Sequence, residues 1–162
     1  MPEDNGHPGS ASESDNERLK RNLNELLQEL RVAQAGVQFL FGFLLAVAFT
    51  EPYLRGTDFQ HAVHLVAVVF ATAAVALLSA PAAWHRVLFR RGQRSMIVEL
   101  ANRFAVAGMA CLAVSMTATV LLLTDAVLGN WVAVALSTLT ALMFALLWFV
   151  FPLVRRWRIG GR

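Results

Sequence analysis

Residues 97–124 of the chain read IVELANRFAVAGMACLAVSMTATVLLLT, a run of 28 residues with very few charged side chains. A helix needs about 20 apolar residues to cross the hydrocarbon of a bilayer at about 1.5 Å per residue. Because lipid offers the backbone no hydrogen-bond partner, amides and carbonyls must pair within the segment, which favours a helix over a strand. Similar runs at 32–53, 59–83 and 131–154 bring the predicted number of transmembrane helices to four.

The composition of the whole chain agrees with a membrane protein. Of its 162 residues, 57% are hydrophobic and 15% are charged, and the mean hydropathy is +0.54. Soluble domains average about 45–50% apolar and about 25% charged residues. The sequence pI is about 10.0, but the Lys and Arg residues flank the apolar runs and form no basic face. We therefore expect the lipid bilayer as a partner, and no nucleic acid.

The N-terminal part of the chain has a different composition. Residues 1–13 are polar, acidic and rich in Gly, Pro and Ser, and they are predicted to be a disordered tail because they can bury little apolar surface. Ser14 and Glu17 have the spacing of a capping box, so a helix is predicted to begin there and to cover residues 14–31. Four leucines follow at spacings of four, three and four residues: Leu19, Leu23, Leu26 and Leu30. Their face either lies on the membrane or its own bundle, or forms a short oligomerising coiled coil.

Basic residues in the short loops predict the orientation of the chain. Twelve of the fourteen Lys and Arg residues lie before the first run, between the second and third runs, or after the fourth. The other two loops contain only Arg55. Four spans put both ends on one side, so both termini are predicted to be cytoplasmic, at the plasma membrane, with 155–162 as a basic cytoplasmic tail. The predicted fold is all-α: a four-transmembrane-helix bundle at 32–154, with an amphipathic cytoplasmic N-terminal helix.

A polar vestibule is predicted at the cytoplasmic level of the bundle. Its residues are Arg31, Gln34, Gln38, His85, Glu99, Asn102 and Arg103. Gln34 and Gln38 lie close together on one face of a helix, and amides in lipid need partners, so this face is predicted to turn toward the bundle. Glu99 and Arg103 have the spacing of an intrahelical ion pair. The vestibule is interpreted either as hydrogen bonding that fixes the bundle, or as an anion site or proton relay.

A second polar set is predicted on the outer side, at the start of the second run. Asp58, His61 and His64 recur every three residues and therefore share one face of a helix. Two imidazoles at this spacing can share a metal ion or carry protons. Because the spacing is common, the set is interpreted either as interfacial polar residues or as a weak metal or proton site. The one cysteine, Cys111, allows no disulfide within the chain and is predicted to be packed inside its helix.

A stripe of small residues is present on the fourth run. It consists of Ala133, Ser137, Ala141 and Ala145. Small side chains let helix backbones approach closely in lipid. The stripe is therefore predicted to contact another helix and not to face lipid.

The sequence contains no recognisable catalytic motif. A glycine-rich phosphate loop, H-E-x-x-H and G-x-S-x-G are all missing, so we expect no enzyme activity and no cofactor. Cation-coupled transporters place a carboxylate near the membrane midplane, in broken helices. Here Glu51, Glu99 and Asp125 lie at the ends of the runs, and the run interiors are expected to lack proline.

Three stretches resemble an uncharacterised family of small four-helix membrane proteins from actinobacteria, a domain of unknown function. They are NELLQELRVAQAGVQFLFGFLLAVAF at 24–49, PAAWHRVLFRRG at 81–92 and ELANRFAVAG at 99–108. The resemblance covers about residues 18–156, and some members carry the label sodium:proton antiporter. It implies importance for Glu29, Arg31, Gln34, Gly36, Gln38, Pro81, His85, Arg86, Asn102 and Arg103, most of which belong to the vestibule.

Two functions remain open on the sequence. The favoured one is a structural or regulatory, accessory membrane protein, with a homo-oligomer or another membrane protein as partner. The alternative is an oligomeric ion or proton transporter, which the family resemblance implies.

Overall fold

The computed structural model describes the backbone of residues 9–88 and 94–160, and the side chains of residues 21, 25, 28–84 and 100–155. The helices, in chain order, are α1 (Gly9–Val47), α2 (Glu51–Leu54), α3 (Asp58–Leu88), α4 (Arg94–Leu128), α5 (Asn130–Ala145), a π-helical turn (Leu146–Val150) and α6 (Phe151–Gly160). These described ranges contain no strand, so the predicted all-α class is confirmed.

Four helical segments are long and apolar enough to cross a membrane, as the sequence predicts. We call them spans 1 to 4: Gln28–Val47, Asp58–Trp84, Leu100–Leu128 and Asn130–Arg155. Span 1 is the shortest, and its 20 residues reach about 30 Å by helical rise, which matches the hydrocarbon thickness. By length and composition the chain is therefore a multi-pass membrane protein.

The first helix differs from the prediction at both of its ends. It begins at Gly9, before the predicted start at Ser14, and continues without a break into span 1. No proline lies between residues 9 and 47, so nothing local separates the predicted amphipathic helix from the membrane helix. Of the predicted disordered tail, residues 1–8 lie outside the described residues.

Proline sets the other end of α1. The helix ends at Val47, although the apolar run predicts a span as far as residue 53. A proline at position 52 cannot donate to the carbonyl of Ala48, which disfavours continuation of α1 through this position. The backbone turns at Thr50, which is extended, and Pro52 then lies in the first turn of α2, where no backbone donor is needed.

An antiparallel pair, α3 and α4, forms the centre of the bundle. On one side α1 packs against α3 and also touches α4, while α5 packs against α4. We call the end of the bundle where α2 lies the α2 end. There Gly129 alone connects α4 to α5, and its φ of 88° is a conformation that favours glycine.

Two apolar clusters join α1, α3 and α4. The first contains Leu30, Val37, Ala74, Leu78, Ala105 and Leu112, and the second contains Leu44, Ala67, Ala71 and Ala118. Leu30, the last leucine of the predicted seam, is buried here within the chain's own bundle. The side chains of Leu19, Leu23 and Leu26 lie outside the described residues, so the two interpretations of their face stay predictions.

The contact between α3 and α4 is closest at Gly108. A Cβ on Gly108 would lie 2.8 Å from Cγ and Cδ2 of Leu78, which is shorter than ordinary van der Waals contact. One turn further along, Pro81 lies buried inside α3, and the helix continues to Leu88. The expectation that the spans lack interior proline is therefore wrong, because α3 runs through a residue that the sequence places at the end of its run.

The stripe of small residues on α5 is divided. Ala133 and Ser137 are buried, whereas Ala141 and Ala145 are exposed. The second pair lines an open apolar cleft between α4 and α5 of about 450 Å³, together with Ala110, Ala113, Val114, Thr117, Ala118, Leu121, Phe144 and Phe149. The prediction that the stripe packs against another helix is thus met near the α2 end only, because the two helices separate further along.

Candidate functional site

One vestibule side chain, Gln34, makes a hydrogen bond between two helices. Nε2 of Gln34 donates a hydrogen bond to the carbonyl oxygen of Leu78 in α3, at 2.7 Å. Leu78 lies three residues before Pro81, whose nitrogen has no hydrogen to donate to the carbonyl of Leu77 and whose ring crowds the preceding turn. Proline is tolerated in membrane helices when a neighbouring helix pairs the backbone groups that it disturbs. The amide of Gln34 pairs the adjacent carbonyl in this turn, that of Leu78.

The other vestibule side chains that the structure describes are exposed: Arg31, Gln38, Asn102 and Arg103. The hydrogen bond of Gln34 goes to a backbone carbonyl and not to one of these side chains. His85 and Glu99, including the predicted ion pair with Arg103, have side chains outside the described residues. The vestibule as a common site therefore stays a prediction.

The outer set is arranged around the end of α1. Nε2 of His64, which is 5% exposed, lies 2.9 Å from the carbonyl oxygen of Leu44 in the last turn of α1. Nε2 of His61 lies 2.9 Å from the carbonyl oxygen of Tyr53. A carbonyl oxygen only accepts, so Nε2 of each ring carries the hydrogen. The ring of Tyr53 lies against both imidazoles, with centroids 4.7 Å apart in each case.

This geometry favours the interfacial interpretation of the two histidines over a metal site. Nε2 of each ring is engaged by a backbone carbonyl, so only Nδ1 of each ring could bind a metal. Asp58 is exposed and does not join the pair. In the described part of the chain, no group of three or more His, Cys, Asp or Glu side chains is placed to hold a metal ion. His64 has a structural role, because its ring bonds to a carbonyl in the last turn of α1.

The sequence did not reveal the contact between Gln60 and Asp125. Nε2 of Gln60 donates to Oδ2 of Asp125 at 3.0 Å and joins the start of α3 to the end of α4. Its other amide atom, Oε1, accepts from the backbone nitrogen of Thr57, while the Gln60 nitrogen donates to the Thr57 hydroxyl, each at 3.2 Å. This is a capping box. The T-x-x-Q spacing at 57–60 could have predicted the cap, and the antiparallel order of the two helices could have predicted the contact.

Hydroxyl groups complete the polar contacts inside the bundle. Ser115 Oγ donates to the carbonyl oxygen of Ala67 at 2.8 Å and joins α4 to α3 at a fully buried position. Thr119 and Ser137 are also buried, but they donate to carbonyls of their own helices. Among the described side chains, no buried nitrogen or oxygen lacks a hydrogen bond. The buried polar groups that the structure describes therefore make hydrogen bonds within or between the helices.

Comparison with known proteins places the chain by its sequence only. A family of unknown function, DUF6328, matches residues 12–152. This range lies close to the predicted extent of the resemblance, residues 18–156. No curated protein and no solved structure matches the chain. With a match over most of its length, the chain belongs to the family DUF6328.

Proposed function

We propose that the protein is a structural or regulatory membrane protein, an accessory component of a membrane assembly, and that it is not an enzyme. The observation that carries the proposal is the use of the polar side chains inside the bundle. Gln34 and His64 join α1 to α3, and Gln60 and Ser115 join α3 to α4. Each such bond between membrane helices adds roughly 0.6–2 kcal/mol and fixes how the helices sit together.

The same contacts argue against ion conduction by a single chain. An ion that loses its hydration shell needs several oxygen ligands that are free to turn toward it. The carboxylates that the structure describes in or near the spans lie at span ends: Glu29 at the start of span 1, and Glu51, Asp58 and Asp125 at the α2 end. Asp125 is already bonded to Gln60, and Glu51 forms an exposed ion pair with Arg55 at 3.3 Å. Within the described residues, a mid-span carboxylate that could exchange a proton or a sodium ion is missing.

An oligomeric ion or proton transporter is the second candidate. It is favoured by the polar side chains that span 1 and span 3 expose on the surface of the single chain, namely Gln38, Asn102 and Arg103. A second copy could enclose them and complete a polar path. The antiporter label implied by the family resemblance belongs to this candidate.

The orientation and location follow the charge distribution. We propose a plasma-membrane location with both termini cytoplasmic, because twelve basic residues lie on that side. In a Cys111→Ser background, Gly129→Cys should react with a membrane-impermeant thiol reagent on intact cells, and Gly92→Cys should not. The reverse pattern of labelling would overturn the orientation.

Ion flux separates the two functions. The purified full-length protein is reconstituted in liposomes, a sodium or proton gradient is applied, and internal pH is followed with a fluorescent dye. We expect the same flux as in protein-free liposomes at acidic, neutral and alkaline pH. A sodium-dependent flux that Gln38→Leu abolishes, while the variant remains folded, would reject the structural role and establish the transporter.

A further inference from the structure

Gln38 lies at mid-depth in span 1 with its side chain exposed. The span runs from Gln28 to Val47, so Gln38 is about 14–15 Å by helical rise from either end. That distance places it near the centre of a hydrocarbon layer about 30 Å thick. Its side chain is nevertheless exposed on the surface of the single chain.

The amide of Gln38 differs from the hydroxyl groups exposed along the spans and from the amide of Gln34. The hydroxyls of Thr72, Ser79, Thr138 and Thr140 each donate to a carbonyl of their own helix. The amide of Gln34, four residues away, donates to Leu78. Gln38 makes no hydrogen bond to any residue that the structure describes. An unpaired amide is unfavourable in hydrocarbon, so this group requires a partner from outside the chain.

The face around Gln38 has the form of a helix-packing seam. Its residues recur at alternating spacings of four and three, and all are exposed: Arg31, Ala35, Gln38, Gly42 and Leu45. Such spacing is typical of two helices that pack side by side at a small angle. Ala35 and Gly42 flank the amide, and a Cβ on Gly42 would meet nothing within 4 Å. A second helix backbone could therefore approach closely at this point.

We propose that two parallel copies of the chain associate through this face of α1, with their Gln38 amides hydrogen-bonded to each other. Copies inserted in the same direction hold Gln38 at the same depth. A two-fold axis along the membrane normal then brings each Gln38 opposite its own counterpart. A side-chain amide contains both a donor and an acceptor, so it is complementary to itself. The inference goes beyond the proposed function and does not depend on it, because a structural protein and a transporter could both form this dimer.

Cysteine cross-linking tests which face of α1 is shared. In a Cys111→Ser background, the full-length protein in liposomes carries either Gly42→Cys or Gly36→Cys and is treated with a membrane-permeant oxidant. Both glycines are exposed, and neither would place a Cβ within 4 Å of other atoms, but they point about 120° apart around the helix. We expect a disulfide-linked dimer with Gly42→Cys and little with Gly36→Cys. Equal or reversed cross-linking overturns the proposal.

Dimer dissociation on dilution in lipid tests the role of the amide. Energy transfer between labelled copies of the full-length protein should show Gln38→Leu dissociating about three- to twentyfold more readily than the unaltered protein. Gln38→Asn should recover part of the affinity because it keeps both amide groups. Gln34→Leu should leave the dimer unchanged, since its amide bonds within the chain. A monomer under all lipid dilutions, or equal affinity for Gln38→Leu, overturns the proposal.

Discussion

The α2 end and the rest of the bundle differ in how fully their polar groups and helix surfaces are paired within the chain. At the α2 end, His64, His61 and Gln60 pair with groups of the same chain, and α5 packs closely against α4. From mid-depth onward, α4 and α5 enclose an open cleft, and Gln38, at mid-depth on α1, has no partner within the described chain. The comparison indicates that polar groups and helix surfaces are paired within the chain at the α2 end. Surfaces for assembly with a partner lie further from that end.

The largest expected effect compares a closely packed glycine with an open one. Gly108→Ala places a Cβ 2.8 Å from side-chain atoms of Leu78, so the buried leucine or the two helices must shift. Overpacking of this kind typically destabilises by about 1–3 kcal/mol. Gly36→Ala meets nothing within 4 Å and should be neutral, or stabilising by up to about 1 kcal/mol through helix propensity. Thermal unfolding in detergent measures both. Equal losses would mean that the close contact at Gly108 is not formed.

The next comparison divides the α5 stripe. Ser137 is 7% exposed and lies near the α2 end, so Ser137→Leu should overpack the contact with α4 and destabilise by about 1–3 kcal/mol. Ala141 faces the cleft, where a leucine fits, so Ala141→Leu should change stability by less than about 0.5 kcal/mol. The readout is again the unfolding midpoint in detergent. A larger loss for Ala141→Leu would show that α4 and α5 close together along their whole length.

The sequence was sufficient for the number and type of the spans. Each of the four apolar runs is long enough to cross a bilayer as a helix, and all four are helices in the structure. The ends of the spans were harder to predict. Pro52 stops α1 early, while Pro81 does not stop α3. These two outcomes differ because a residue of another helix, Gln34, supplies a donor near Pro81, and a contact of that kind is not visible in the local sequence.

The candidate site was predictable by residue type more than by arrangement. Gln34 and Gln38 lie only about 40° apart around α1, and the sequence assigns them to one face. The contact with α3 is narrow enough to include Gln34 and exclude Gln38. Which amide is paired depends on the rotation of α1 against α3, which the packing of Val37 and Leu44 sets. Helical periodicity identifies the face of α1 that contacts α3 only to within about one residue. A difference of that size decides whether Gln34 or Gln38 is paired.

The smallest expected effect tests the pairing of Gln34 with the turn before Pro81. Gln34→Leu removes the donor to the Leu78 carbonyl, and loss of such a bond in a membrane protein costs about 0.6–2 kcal/mol. Pro81→Ala restores a backbone hydrogen at position 81 that can bond to the carbonyl of Leu77. It also removes the ring that crowds this turn, so α3 can form a regular ladder there that includes the Leu78 carbonyl. In the Pro81→Ala background, Gln34→Leu should therefore cost less than in the unaltered protein.

The coupling in this cycle should be at least about 0.5 kcal/mol, the usual threshold for residues that share a partner. Unfolding midpoints of the four proteins in the same detergent give its value. Gln38→Leu is the matched control, because its amide bonds to no described residue and its cost should be independent of Pro81. Strict additivity for Gln34 and Pro81 would mean that the amide does not compensate for the proline. In that case Pro81 would leave carbonyls of the preceding turn without compensation from α1, and these carbonyls would be available to a partner.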